Sequence, residues 1–496
     1  MLSVIVFLPV LAAIVLATMP RIPDVAARRI WIVVTLIDLA LVVGLWLAYR
    51  DPGAGALAFE EQVPWIPNVG SSYHLGVDGL SLPLVALTSL IFVVCAVFAL
   101  RDTDRPRSQA ALFLFLQTAS LGVFAAQDLI LFFVFFDLSI VGMYFVIAGW
   151  GHGNAARSAL KFFLYTFLGS LALLVGFIGL YLGSAAKTFD MVELARNPPF
   201  GDQPVIGGLV LAAVFLGLAI KTPTFPFHTW LPPAHTDAPA IGSVVLASIL
   251  LKMGTYGFVR IAMPMLPDAW RDWAWIVVVV GIISVLYGAL VALAQTDFKR
   301  MIAYTSVNHM GYVILAVGAA GVVSDSAAQA REVAVTGAVV QMVSHGLITG
   351  ALFLLAGVLY DRKGSYDIGS YGGLAAPAPR YATFFAVSAF ASLGLPGFSG
   401  FIAEFQIFTG SIGPVPLTAL ALPGILITAA LFLRALQRML TGKTRGLSTG
   451  FRDLDRREIL AIAPLLILAV VIGIVPRFLL DIIEPASSVL VDLVSR

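Results

Sequence analysis

One cysteine, Cys95, occurs in 496 residues. A single thiol excludes an intrachain disulfide, a cysteine-ligated iron–sulfur cluster and a cysteine-based zinc site. It reads as a small apolar residue packed inside an apolar run. Charge is also scarce: Asp, Glu, Lys and Arg make up 12% of the chain, against about 25% in soluble domains. There is no GxGxxG loop of the kind that follows a strand and cradles a nucleotide. Histidine pairs on a shared helix, as a haem needs, are missing too. These absences leave the chain with no redox centre of its own.

Apolar residues fill the space that charge leaves. Hydrophobic side chains make up 59% of the chain, against about 45–50% in soluble domains, and mean hydropathy is +0.96. Apolar runs of about eighteen or more residues recur from end to end, each able to cross a hydrocarbon core about 30 Å thick. They do not alternate in polarity as barrel strands do. The fold class is therefore an all-α polytopic membrane bundle. The first run, LSVIVFLPVLAAIVLATM, lacks a basic leading stretch and a small-residue cleavage site and reads as a retained helix.

The pattern predicts about fourteen spans, near residues 2–19, 30–48, 82–100, 109–126, 128–149, 161–183, 205–227, 240–262, 273–295, 301–323, 334–360, 380–410, 415–440 and 459–483. Of the 30 Lys and Arg residues, 20 lie in or beside loops after odd-numbered spans and 8 after even-numbered ones. Positive charge marks the cytoplasmic side, so both termini are expected on the periplasmic side. The other two, Lys221 and Lys252, fall inside spans. The basic cluster over 443–457 reads as a solvated topology signal.

Two spans contain helix breakers: KTPTFPFHTWLPPAH at 221–235 and SLGLPGFSGFIAEF at 392–405. Aligning Pro226 with Pro396 gives an offset of 170 residues, which carries spans 4–8 roughly onto spans 9–13. Five is odd, so two such units have opposite topology. Paired interrupted spans in corresponding halves point to a transport site, because broken backbone survives at membrane depth only under protein or water. The expected organisation is three N-terminal spans (1–108), a first five-helix repeat (109–262), an inverted second repeat (263–440), then a cytoplasmic loop with the last span (441–496).

Ionisable residues stand inside these spans. Asp137 interrupts LFFVFFDLSIVGMYFVIAGW, Lys221 precedes the first break, Lys252 lies in SILLKMGTYGF, and Glu404 follows the second break. Each charge costs about 2.5–3.5 kcal/mol at the bilayer centre, so the four together cost on the order of 10 kcal/mol if unpaired. Leucine would avoid that cost, so stability alone does not explain them. His309 and His345 lie in spans 10 and 11, where a histidine either relays protons or bridges helices. Carboxylate, ammonium and imidazole exchange protons when burial or a neighbouring charge changes. The set reads as a proton relay rather than a catalytic site. Asp38 is the same residue type in a peripheral span outside both repeats. Asp128 and Asp297 read as solvated helix caps. His228 and His235 flank WLPP at the membrane edge and are too few for a metal site.

The stretches KTPTFPFHTWLPPAH, LLKMGTYG, DFKRMIAYTSVNHMGY, VSHGLITGALFLLAG and GLPGFSGFIAEF together resemble the proton-translocating membrane subunits of respiratory complex I and their antiporter relatives. The likeness covers about residues 75–440. Glu404 is similar to the glutamate of M-type subunits, where L- and N-type subunits carry lysine. The resemblance implies that Lys221 is partnered by Asp137, that Lys252 is the central connector, that His309 and His345 relay in the second half, and that Glu404 is the terminal donor. Lys161, in ALKFFLYT, matches a family lysine that modulates the span-5 acid or serves cytosolic access. One position departs: the family's usual Trp-Glu is Phe136-Asp137 here, one methylene shorter.

The resemblance also implies a subunit of an NADH:quinone oxidoreductase in a bacterial plasma membrane, beside L- and N-type subunits and peripheral ones. FMN, iron–sulfur clusters and quinone would sit in other subunits, with no cofactor, metal or nucleic acid bound by this chain. A multi-subunit cation/proton antiporter is the alternative. A non-conducting scaffold leaves the buried charges without a reason.

Overall fold

The computed structural model describes residues 1–19, 21–51, 53, 56–101, 104–323 and 327–495. Helices α1 (Leu2–Thr18) and α2 (Asp24–Ala48) lead into an antiparallel hairpin of β1 (Ala58–Ile66) and β2 (Ser71–Val77). Then come α3 (Leu82–Phe98), α4 (Pro106–Ala125), α5 (Leu129–Trp150) and α6 (Ala155–Gly183). A short α7 (Met191–Arg196) precedes α8 (Pro204–Lys221), α9 (Leu231–Asp237) and α10 (Ala240–Met265). The second half holds α11 (Pro267–Leu293), α12 (Phe298–Gly321), α13 (Ala328–Lys363), α14 (Pro379–Ser392), α15 (Ser399–Ile412) and α16 (Pro416–Leu440). Last come α17 (Arg456–Ile474) and α18 (Arg477–Ser495). Two-residue strands β3 (Tyr371–Gly372) and β4 (Arg445–Gly446) pair between the loops.

Among the described residues, ten helices are long and apolar enough to cross a membrane. Several begin earlier than the apolar windows predict: α2 at Asp24, α6 at Ala155 and α13 at Ala328. Polar first turns prolong a helix beyond the stretch that hydropathy marks. The last span is corrected more substantially. It ends at Ile474 rather than near 483, because Pro476 lacks an N–H and cannot continue the ladder. The chain then forms α18, which buries Leu479, Ile483, Leu490 and Val494 along one stripe. The all-α expectation holds for the bundle, and the two small strand pairs are additions to it.

Burial runs from centre to rim. The membrane window of α13 is 100% buried and that of α10 94%, whereas α2 is 28%. Leu47, Leu168 and Leu426 are exposed on the rim, where lipid rather than water suits them. α11 and α12 pack closest. A Cβ on Gly281, Gly311 or Gly318 would fall 2.5–2.8 Å from backbone atoms of the facing helix. Small residues let membrane helices approach to backbone contact.

Both predicted breaks are present. Span 7 stops at Lys221 and resumes at Leu231, and span 12 stops at Ser392 and resumes at Ser399. In the second break Gly394 and Gly397 take φ of 77° and 96°, conformations open to glycine at no steric cost. Asp128 and Asp297 cap α5 and α12 through backbone amides. They stand 169 residues apart, close to the offset between the breaks. Asp128 is not solvated as predicted: it is fully buried and also accepts from Ser71 Oγ and Ser72 N at 3.1 and 2.9 Å.

Candidate functional site: a buried line of titratable side chains

α5 starts at the Asp128 cap and carries Phe136, Asp137 and Ser139 toward the end of α8. Lys221, the last residue of α8, is 1% exposed. Its Nζ donates to Ser139 Oγ at 3.1 Å and stands 4.6 Å from the centre of the Phe136 ring. Ser139 in turn donates to the Phe136 carbonyl at 2.6 Å. Asp137 lies within electrostatic reach of Lys221 and beside Ser170 of α6. Among the described residues it forms no ion pair within 4.0 Å, and its Oδ1 has no hydrogen-bond partner. The hydrogen-bond partner of Lys221 is thus Ser139 rather than Asp137.

Lys161 is placed elsewhere. Its Nζ donates to the Thr229 carbonyl at 2.7 Å, inside the non-helical stretch between α8 and α9. Its charge acts on neighbouring His228. The lysine holds the broken segment rather than touching Asp137.

Lys252 is fully buried near the middle of α10, between two π-helical turns, Leu246–Leu250 and Phe258–Ala262. Such turns gather at functional sites. One of them supplies a ligand: Lys252 Nζ donates to the Ala247 carbonyl at 2.5 Å. The same nitrogen lies 2.5 Å from His345 Nδ1 on α13. With Nζ donating, Nδ1 accepts and the proton of the neutral ring sits on Nε2. The His309 ring is 5.4 Å from that of His345, centre to centre, and tilted 65°. His309 Nε2 lies 3.3 Å from the Ser392 carbonyl, at the end of α14.

Glu404 is 6% exposed on α15 and has no cation beside it among the described residues. A Cβ at Gly394 would fall 2.5 Å from its Oε2, so the glycine makes room for the carboxylate. His309, Gln341, His345, Ser392 and Glu404 surround a cavity of about 10 Å³, enough for about one water. Among the described residues, His309 Nδ1, His345 Nε2, Gln341 Oε1 and Ser392 Oγ have no hydrogen-bond partner. The cavity is lined with the polar atoms a water would satisfy.

Two residues escaped the sequence reading. His235 is fully buried, stacked on Phe353 at 4.5 Å, and among the described residues neither ring nitrogen is hydrogen-bonded. It lies within electrostatic reach of both Lys252 and Lys299. Lys299 counted as a loop charge, yet it is fully buried too. Its Nζ donates to the Ala238 carbonyl at 2.5 Å and lies 5.1 Å from the Tyr366 ring centre. Asp297, Asp237 and Asp361 are its charge neighbours. Beside it opens a cavity of about 660 Å³ lined by His152, Asp361, Tyr366 and the basic Arg362 and Arg452. The aspartate two residues before Lys299 was the available signal.

A model of the family described as "NADH:quinone oxidoreductase/Mrp antiporter, TM" matches residues 126–431. The chain belongs to this family. NADH-quinone oxidoreductase subunit M of Rhodobacter capsulatus is 39% identical over 99% of this chain and 96% of its own length. The Rickettsia prowazekii subunit M is 38% identical over 87% and 86%. Among solved structures, a chain of respiratory complex I from Thermus thermophilus with bound NADH aligns over 100% of both chains, with TM-score 0.89 and 30% identity. A chain of the Mrp complex from Dietzia sp. DQ12-45-1b aligns over 100% of this chain and 99% of its own, with TM-score 0.86 and 20% identity. The fold is thus common to a chain of respiratory complex I and a chain of an Mrp complex.

Proposed function

We propose that the chain is the M-type, proton-translocating subunit of an NADH–quinone oxidoreductase. It moves protons through Asp137, Lys221, Lys252, His345, His309 and Glu404, with Lys161 as a modulator that acts through the broken segment at Thr229 and His228. The contact between Lys252 Nζ and His345 Nδ1 at 2.5 Å carries this reading. It joins a titratable group of residues 109–262, the first repeat, to one of residues 263–440, the inverted second, with both side chains buried. A lysine that releases a proton there hands it to the imidazole, and when the emptied lysine takes up the next proton its charge repels the imidazolium's proton onward. Waters complete the longer steps, from Lys221 to Lys252 and from the histidines to Glu404.

The apolar runs give fourteen crossings, and the basic loops put both termini on the periplasmic side. The 660 Å³ cavity beside Lys299 then opens toward the cytoplasm, since Arg362 and Arg452 line it. His235 and Lys299 connect that opening to Lys252. The energy comes from quinone reduction in other subunits, where FMN and iron–sulfur clusters reside. L- and N-type subunits flank this chain in a bacterial plasma membrane. Mass spectrometry of the solubilised native assembly tests the reading. Two further antiporter-like subunits with NADH-oxidising peripheral subunits are expected. An assembly of antiporter subunits alone would replace it with the cation/proton antiporter.

A further inference from the structure

Asp38 lies near the middle of α2, far from the relay in the chain and outside both repeats. It is fully buried. Its Oδ2 accepts two hydrogen bonds, from Ser89 Oγ of α3 at 2.7 Å and from Gln117 Nε2 of α4 at 2.8 Å. Among the described residues its Oδ1 has no partner, and neither does Oε1 of the same Gln117. Among the described residues only neutral groups, Ser89 and Gln117, act on the carboxyl.

An ionised carboxylate is a poor occupant of this place. It only accepts hydrogen bonds, so its Oδ1 would be buried bare, with no cation to offset the charge. Two orphans, one on each group, fit a different species. In a neutral acid one oxygen accepts and the other donates. The amide Nε2–H donates to Oδ2, and an Oδ1–H donates back to Oε1. Both orphan atoms are satisfied by one proton.

We propose that Asp38 is a proton-binding site held as a neutral carboxylic acid, closed with Gln117 into a cyclic acid–amide pair that ties α2 to α4. The proton on Asp38 stays in place and is not exchanged in the pumping cycle. The acid is thus a polar lock between the N-terminal helices and the first repeat.

Infrared difference spectroscopy of the assembled complex, wild type minus Asp38→Asn, tests this without depending on the proposed function. A protonated-carboxyl C=O band should be lost in the variant at neutral pH, with no loss of ionised-carboxylate bands. Loss of a carboxylate band instead would overturn the assignment. Asparagine keeps both hydrogen bonds, as an amide–amide pair with Gln117. Asp38→Asn should therefore assemble and pump within about twofold of wild type, whereas Asp38→Leu should lower assembly at least fivefold. Failure of Asp38→Asn to assemble, or full assembly with pumping lost, counts against the neutral pair, the latter by making Asp38 a relay member. In a third variant, Gln117→Met, the C=O band should move to higher frequency as the hydrogen bonds with the amide are lost. An unmoved band would refute the pairing.

Discussion

Replacing Asp137 by asparagine removes a charge beside Lys221 while keeping the side chain's shape. Two unit charges 4 Å apart attract by about 4 kcal/mol at an effective dielectric of about 20, and doubling the separation halves this to about 2 kcal/mol. No Asp137–Lys221 ion pair forms within 4.0 Å, so about 4 kcal/mol is the ceiling, and the partial exposure of Asp137 lowers it. Even about 2 kcal/mol exceeds the 1.4 kcal/mol that corresponds to a tenfold bias in the protonation of Lys221. We expect Asp137→Asn to cut proton pumping by more than tenfold in fully assembled complex. Asp137→Glu adds one methylene, about 1.5 Å of reach, and should retain a substantial share of wild-type pumping. The assay is proton uptake by reconstituted vesicles, normalised to assembled enzyme because an unpaired buried charge also destabilises. An Asn variant pumping at the wild-type rate would refute the charge-partner role. An inactive Glu variant beside it would mean that the site is packed around the shorter acid.

Lys221→Ala and Glu404→Gln should each assemble yet lower quinone reduction and pumping together, since an arrested relay holds back the reaction that drives it; normal pumping in either excludes that residue. His345→Phe removes the acceptor for Lys252 Nζ and should lower NADH-driven turnover at least tenfold, and unchanged stopped-flow rates would show that the 2.5 Å contact is not on the path. Lys299→Met should slow proton uptake from the basic-loop side while leaving assembly intact, and equal uptake rates by a pH-sensitive dye would argue against access there. Outside the membrane, burial pulls His74 down, but its contacts with Asp190 (2.6 Å) and Glu60 (2.8 Å) outweigh this and raise it above its ordinary 6.5. A raised histidine contributes stability below its unfolded value and loses it as pH rises through the folded one. Hydrogen exchange across 58–77, corrected for intrinsic rates, should therefore quicken above neutral pH, and a flat profile would show that the clamp is not stabilising.

The sequence made the bundle legible through features that act locally. Apolar runs long enough for a bilayer marked the spans, and Pro and Gly in 221–235 and 392–405 marked the two breaks. Lys252 and His345, 93 residues apart, were each legible as costly groups, but their contact depends on how α10 packs on α13. Lys299 and His235 were missed for a related reason. Both sit where hydropathy falls to loop-like values, and only packing by Ala238, Phe353 and Tyr366 takes them out of water. α18 was invisible to an apolar-run criterion because its polar face dilutes the average. The β1–β2 hairpin depends on pairing between β1 and β2 around Gly70, which composition does not announce.

The two π-helical turns of α10 bear on how this helix is to be aligned with its relatives. Each turn accommodates one residue more than an α-helical turn without changing which way the flanking segments face. Measured in turns, Ala240–Met265 is two residues shorter than its letter count. A relative lacking one residue within 246–250 would still present its lysine to the same neighbour. A relative lacking one within 251–257 would have everything beyond it rotated by about 100°, the angle one residue subtends at 3.6 per turn. A single-residue gap is therefore structurally silent at the first position and disruptive a few letters later. Residue-by-residue equivalence across α10 has to be drawn with that asymmetry in place.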